Sequence, residues 1–133
     1  MNLQAPIKNI IAADHELIRD GLQVMMKKVP AVEILGEAYN GEMLVKMTRK
    51  LSPEVILTDI KMPVMDGFEF LEAYKQMGLD RMMPTKIMML TSSASFYDLK
   101  RLETFAEVKR HFSKPLADHD IKEIFREYFP EHV

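Results

Sequence analysis

The chain has no cysteine, so disulfide stapling, thiolate zinc sites and cysteine nucleophiles are excluded together. It lacks an excess of charge of either sign. With 18 basic and 20 acidic residues the formal net charge is −2, which gives no overall pull toward nucleic acid or an anionic membrane and disfavours direct DNA binding. No run of apolar residues reaches the length of a spanning helix, and residues 1–8 hold no signal-peptide core. The expectation is an untargeted, soluble, cytoplasmic protein. No segment repeats, and 133 residues leave no room for a second independent core, so one domain over residues 1–133 is expected.

What is present is alternation. Short apolar runs at Ile7–Ala12, Val32–Gly36, Val55–Thr58, Lys86–Leu90 and Val108–Phe112 are separated by longer stretches of helical period. That alternation predicts an α/β fold, a parallel sheet wrapped by helices, with the order β-α repeated five times. The first, third and fourth runs are the most continuously apolar, as strands buried on both faces are. Leu22, Met25, Met26 and Val29 form the inner face of a helix starting near His15, and Met43, Met47 and Leu51 that of a second. Asp66 and Glu69 have the spacing of a capping box opening a third helix, whose Phe70, Tyr74 and Met77 share a side. A fourth helix is expected around Ser95–Ala106, with Leu99, Leu102 and Phe105 inward. Ile121, Ile124, Phe125 and Tyr128 mark the last helix, which ends near Pro130. The twelve methionines are read mostly as flexible core filler.

The residues at the strand ends carry the chemistry. Asp14 follows the first strand, Asp59 the third and Thr91 the fourth, and Lys114 lies just past the fifth. In an open parallel sheet these ends share one edge, and ligands bind where the strand order reverses. Singly, each has a plainer reading. Asp14 is also placed to cap the next helix; Thr91 to end a strand; Lys114 to be a surface lysine. Asp59 resists one, because a carboxylate closing the apolar Val55-Ile56-Leu57 run needs a partner or water. The Met62-Pro63-Val64-Met65-Asp66-Gly67 stretch after it is built to turn.

Val55-Ile56-Leu57-Thr58-Asp59-Ile60-Lys61-Met62-Pro63-Val64-Met65-Asp66-Gly67-Phe68-Glu69 closely resembles the phosphoacceptor segment of response-regulator receiver domains in two-component signalling. Ala13-Asp14-His15-Glu16-Leu17-Ile18-Arg19-Asp20-Gly21-Leu22 resembles the first loop and helix of receivers that precede LuxR-type DNA-binding domains. Met89-Leu90-Thr91-Ser92 and Ser113-Lys114-Pro115-Leu116 supply the other two signatures in order. The resemblance covers essentially the whole chain. It implies a doubly wound, flavodoxin-like (βα)5 fold with five parallel strands in the order 2-1-3-4-5.

The resemblance also assigns roles. Asp59 is implied to take a phosphoryl group from a histidine kinase or phosphotransfer protein, with no separate substrate and hence no enzyme activity expected. Asp14, Asp59 and the backbone carbonyl of Lys61 are implied to hold Mg2+, which favours hard oxygen ligands. Lys114 and Thr91 would contact the phosphoryl oxygens. Thr91 would act as a switch together with His111, three residues before Lys114, where relatives often carry an aromatic ring. A cis Lys114–Pro115 bond is implied as well, and so is homodimer formation on activation through the fourth helix, fifth strand and last helix. One departure stands out: relatives usually have two successive acids where this chain has Ala13-Asp14. That favours weakened metal binding, or a receiver that acts as an interaction module without phosphorylation.

Two other chemistries fit poorly. A phosphohydrolase using an aspartyl-phosphate needs an acid two residues past its nucleophile, where Lys61 stands. A flavin binder needs an anion-accepting first loop, and Ala12-Ala13-Asp14-His15-Glu16 is acidic.

Overall fold

The computed structural model describes residues 6–82, 84–91, 96–113 and 116–130, without the side chains of residues 80 and 96. Five parallel strands, β1 (Ile7–Ala12), β2 (Val32–Ala38), β3 (Val55–Asp59), β4 (Lys86–Thr91) and β5 (Val108–Ser113), form one sheet in the order β2-β1-β3-β4-β5. The helices are α1 (Glu16–Lys27), α2 (Gly41–Leu51), α3 (Gly67–Gln76), α4 (Leu79–Met82), α5 (Phe96–Leu102) and α6 (Asp118–Tyr128). The doubly wound arrangement is the one expected, with β3 at the centre and buried along its whole length.

Alternate residues of each strand feed two cores, because successive side chains point to opposite faces. Ile7, Ile11, Leu57, Met88, Leu90 and Phe112 pack under α1 and α6, against Leu22, Met26, Ile121, Ile124 and Phe125. Ile10, Ala12, Ile56, Ile87 and Met89 pack under α2, α3 and α5, against Leu44, Phe68, Phe70, Leu71, Tyr74 and Leu102.

Several boundaries differ from the sequence expectation. β2 runs two residues past Gly36 and the other later strands one residue further, so Asp59 and Thr91 are the last residues of β3 and β4 rather than the residues after them. The short α4 is additional; it follows Gly78, whose φ of 72° suits glycine, and four residues show no periodicity to read. The fourth expected helix stops at Leu102, and Phe105 is buried from the turn beyond it. On α2 the buried face is Gly41, Leu44, Val45 and Thr48, while Met43, Met47 and Leu51 flank it half-buried, since the long thioethers reach the core from the side. Met77, grouped with Phe70 and Tyr74, instead ends α3 and is exposed. Met26, Met88 and Met89 are core residues and Met25 packs against the core, whereas Met82 is exposed.

Candidate functional site at the carboxyl ends of the strands

The strand ladder sets the site. Ala12 pairs with Thr58, Asp59 with Leu90, and Thr91 with Ser113, so the ends of β1, β3, β4 and β5 stand side by side at strand spacing, about 4.8 Å. Asp59 closes the central strand with only 2% of its surface exposed. Asp14 lies two residues beyond β1 on an exposed turn, its side chain 32% accessible. It does not cap α1: His15 occupies that position and makes no side-chain cap bond. Instead the Asp14 carboxylate lies 3.7 Å from His15 Nε2.

The loop after Asp59 is closed by backbone bonds. Ile60 N donates to Leu90 O at 3.2 Å, Gly67 N to Ile60 O at 2.7 Å, and Gly41 N to Met65 O at 2.7 Å. Both glycines are required by close approach. A Cβ on Gly67 would stand 2.9 Å from Ile60 Cα and 3.0 Å from Asp59 O, and one on Gly41 would overlap Met65 O. Asp66 and Glu69 form the expected capping box, Glu69 N donating to Asp66 Oδ1 at 2.9 Å and Asp66 N to Glu69 Oε1 at 3.1 Å. Between these fixed points, Met65 N donates to Pro63 O at 2.7 Å across Val64, whose φ is 66°. That tight three-residue turn stores strain, most of all at a β-branched residue. Lys61, whose carbonyl is the third expected metal ligand, is exposed at the start of this loop.

The Thr91 hydroxyl donates to Phe112 O on β5 at 3.4 Å, the long end of hydrogen bonding. His111 is exposed on β5, with Phe112 buried beside it, at the edge of a hollow of about 150 Å³ that Leu99, Leu102 and Val108 also line. Lys114, and with it the expected cis bond to Pro115, lies outside the described residues. The structure therefore brings Asp14, Asp59, Lys61 and Thr91 to one edge of the sheet, with His111 on β5 two residues before the end of that strand. Among the described residues no three His, Cys, Asp or Glu side chains gather as a metal cluster; the crevice offers two carboxylates, with alanine where a third could stand.

Sequence reasoning missed Arg19. Its guanidinium Nη1 donates to the carbonyls of Ala13 at 2.9 Å and Asp14 at 3.1 Å, holding the turn that carries Asp14. The signal was only an arginine one turn into α1; its anion, Glu37, becomes a neighbour once β2 is known to pair with β1.

Residues 10–126 match the family described as response regulator receiver domain. The chain belongs to that family. As a receiver it is 33% identical over 79 residues to the nitrate/nitrite response regulator NarL of Escherichia coli K12, covering 59% of this chain and 37% of NarL. It is 41% identical over 86 residues to the transcriptional regulatory protein LiaR of Bacillus subtilis 168, covering 65% of this chain and 39% of LiaR. It thus spans well under half the length of these regulators. A two-component response regulator from Cytophaga hutchinsonii has the same fold, with a TM-score of 0.82 at 20% identity over 93% of this chain and 97% of that one. Among the described residues of the receiver no helix is long and apolar enough to cross a membrane.

Proposed function

We propose that this receiver accepts a phosphoryl group on Asp59 from a histidine kinase or phosphotransfer protein in the cytoplasm and passes the change to a protein-interaction surface. The observation that carries the reading is Asp59 itself, a carboxylate buried at the end of the central strand with Asp14 and Thr91 at the neighbouring ends. A nucleophile so placed is shielded from bulk water yet opens on the edge where ligands of such sheets bind.

Asp14, Asp59 and the Lys61 carbonyl fit Mg2+ in kind: all are hard oxygens, and the exposure of Asp14 leaves room for the waters that this ion retains. When bound, Mg2+ would offset the repulsion between the carboxylates and an incoming phosphoryl group. The chain's own residues do the rest. Asp59 supplies the attacking oxygen. Gly67 and the capped start of α3 fix that oxygen's strand end. Thr91 exchanges its long bond to Phe112 O for one to a phosphoryl oxygen, and Lys114 pairs with another. The hollow between α5 and β5 gives the His111 ring a place to turn when Thr91 moves. The phosphodonor approaches past the first turn of α1, where Leu17 is 85% exposed. Association of activated copies through α5, β5 and α6 is part of the same proposal. Arg110 on that face already bonds Glu127 at 3.1 Å within the chain, so contacts made by such charges between copies are weak and salt-sensitive.

Incubation with acetyl phosphate and Mg2+ should add one phosphoryl mass, abolished in Asp59→Asn. Labelling that persists in that variant refutes the assignment. Ala13 favours a second reading, an interaction module independent of phosphorylation, because it leaves the crevice without a third carboxylate. Ala13→Asp separates the two: under the first reading it tightens Mg2+ binding, and under the second neither protein responds to Mg2+.

A further inference from the structure

The side chain of Arg19 is 12% exposed and engaged on three sides. Nη1 donates to two successive carbonyls, Ala13 O and Asp14 O. Nε lies 3.4 Å from Glu37 Oε1, on β2, and the guanidinium carbon lies 4.5 Å from the centroid of the Tyr39 ring. Glu37 is held in turn, since its other oxygen accepts from Gln23 Nε2 at 2.7 Å, one turn further along α1. The two carbonyls belong to the peptide groups on either side of the Asp14 Cα, the first joining Ala13 to Asp14 and the second joining Asp14 to His15. A guanidinium whose Nη1 bonds both carbonyls and whose plane is held by Glu37 and the Tyr39 ring restricts rotation about the Asp14 Cα more than a flexible ammonium would. Those rotations determine the direction in which the Asp14 side chain leaves the backbone.

We propose that Arg19 is a positioning residue, clamped by Glu37, that aims the Asp14 carboxylate at Asp59 and so sets the affinity of the crevice for Mg2+. This rests on the reading of Asp14 and Asp59 as metal ligands. The clamp has added weight here because Ala13 contributes no carboxylate of its own, leaving Asp14 as the one acid of the turn between β1 and α1. Its action is geometric. The guanidinium charge is balanced by Glu37, so the restriction of the turn, and not a field at the crevice, is what substitution removes.

Three variants of the whole chain test this, with Mg2+ titrated in two assays: the shift in melting temperature, and phosphorylation by acetyl phosphate. Arg19→Lys, which retains the charge and loses the fork, should raise half-saturating Mg2+ by about 10-fold, as is typical when a group supporting a metal ligand is removed. Phosphorylation should recover when Mg2+ is saturating. Glu37→Gln, which leaves Arg19 in place without its clamp, should move the midpoint in the same direction by less, and it carries the comparison if Arg19→Lys does not fold. Ile124→Val, in the core under α6 and remote from the turn, should lower the melting temperature with the Mg2+ midpoint unchanged. If Arg19→Lys and Glu37→Gln lose stability as Ile124→Val does but retain the wild-type midpoint, the clamp is only structural and the proposal falls while the metal site stands. If wild type shows no Mg2+ response in either assay, the metal site falls, and the clamp's role with it.

Discussion

The two faces of the sheet are built differently. Under α1 and α6, two long helices of 12 and 11 residues lie over buried residues of β1, β3, β4 and β5, and each contributes fully buried side chains. Under α2, α3 and α5 the first two helices bury Leu44, Val45, Phe68, Phe70, Leu71 and Tyr74, but α5 has only seven residues and is anchored by Leu102 and, just beyond it, Phe105. Leu99 is half-buried, and Arg101 bridges back to α3, over the Phe68 ring at 4.3 Å and to Glu72 at 3.1 Å. A helix of seven residues, tied to α3 by an exposed ion pair, can shift at less cost than the longer helices of the opposite face. The contrast suits the proposed switch: a longer-helix platform on one side of the central strand, a short helix on the other.

Truncation of one anchor on each face tests the contrast most strongly. Phe125→Ala, in the middle of α6, should destabilise by about 3–5 kcal/mol, the usual cost of an emptied aromatic site. Leu102→Ala, at the end of α5, should cost nearer about 2 kcal/mol, the low end for leucine, because a site at the rim can partly close. Urea unfolding of both variants gives the comparison directly, and equal losses would mean that α5 is as firmly built into the core as α6.

Gly67→Ala comes next, and it acts where the second face meets the site. The new Cβ would press on Ile60 Cα and Asp59 O, which are backbone rather than yielding side-chain atoms. A cost of about 1–3 kcal/mol is expected. The rate of phosphorylation should fall by more than the lost stability explains, because the displaced atoms belong to the proposed nucleophile, Asp59, and the residue after it. Phosphorylation unchanged in a destabilised variant would show that Asp59 tolerates movement of its own strand end.

Much of this was legible in the sequence, for reasons that also explain what was not. The strands β1, β3 and β4 are buried on both faces and so read as unbroken apolar runs, whereas β2 at the sheet edge is half-buried and its last two residues, Glu37 and Ala38, carry no such signal. Asp66 and Glu69 could be read because a capping box is a local device. The face of α2 was misjudged because methionine is as apolar as leucine in a pattern but long enough to lie at the margin of a core. The placement of Asp14, Asp59 and Thr91 at the strand ends could be read from the sequence, while the contacts of Arg19 could not, since its partners are backbone carbonyls and a glutamate from another strand. Contacts of that kind have no sequence period.

Val64 offers a smaller effect on the same loop. Relief of a left-handed β-branched residue is worth about 1–2 kcal/mol, and the greater freedom of glycine in the unfolded chain returns about 0.5–1 kcal/mol of it. Val64→Gly should therefore be more stable by somewhat under about 1 kcal/mol. The side chain is 73% exposed, so no core contact is lost. A destabilised variant would mean that Val64 contributes packing or order that its exposure does not reveal.

The smallest effect belongs to the rigid face, where Lys28 at the end of α1 donates to Asp118 Oδ2 at the start of α6 at 2.8 Å. The bond from Lys28 is the main cause that holds the Asp118 carboxyl below its ordinary value of 3.8; desolvation opposes it, and the nearby charges of Lys28, Lys122 and His119 add to the lowering. A carboxyl lowered on folding stabilises the folded chain above its unfolded pKa, and that contribution disappears as pH falls through the folded one. Both side chains are about half exposed, so salt also weakens the pair. Asp118→Asn should accordingly melt slightly below wild type near neutral pH and low salt. The gap should narrow as pH is lowered through the carboxylate range, and it should narrow with added salt at constant pH. The crossing of α1 and α6 rests on Leu22, Met26, Ile121 and Phe125 beneath the pair, so the variant should otherwise unfold as cooperatively as wild type. A gap that ignores both pH and salt would assign the effect to shape at the start of α6 and remove the ion pair from the account of why this face is the rigid one.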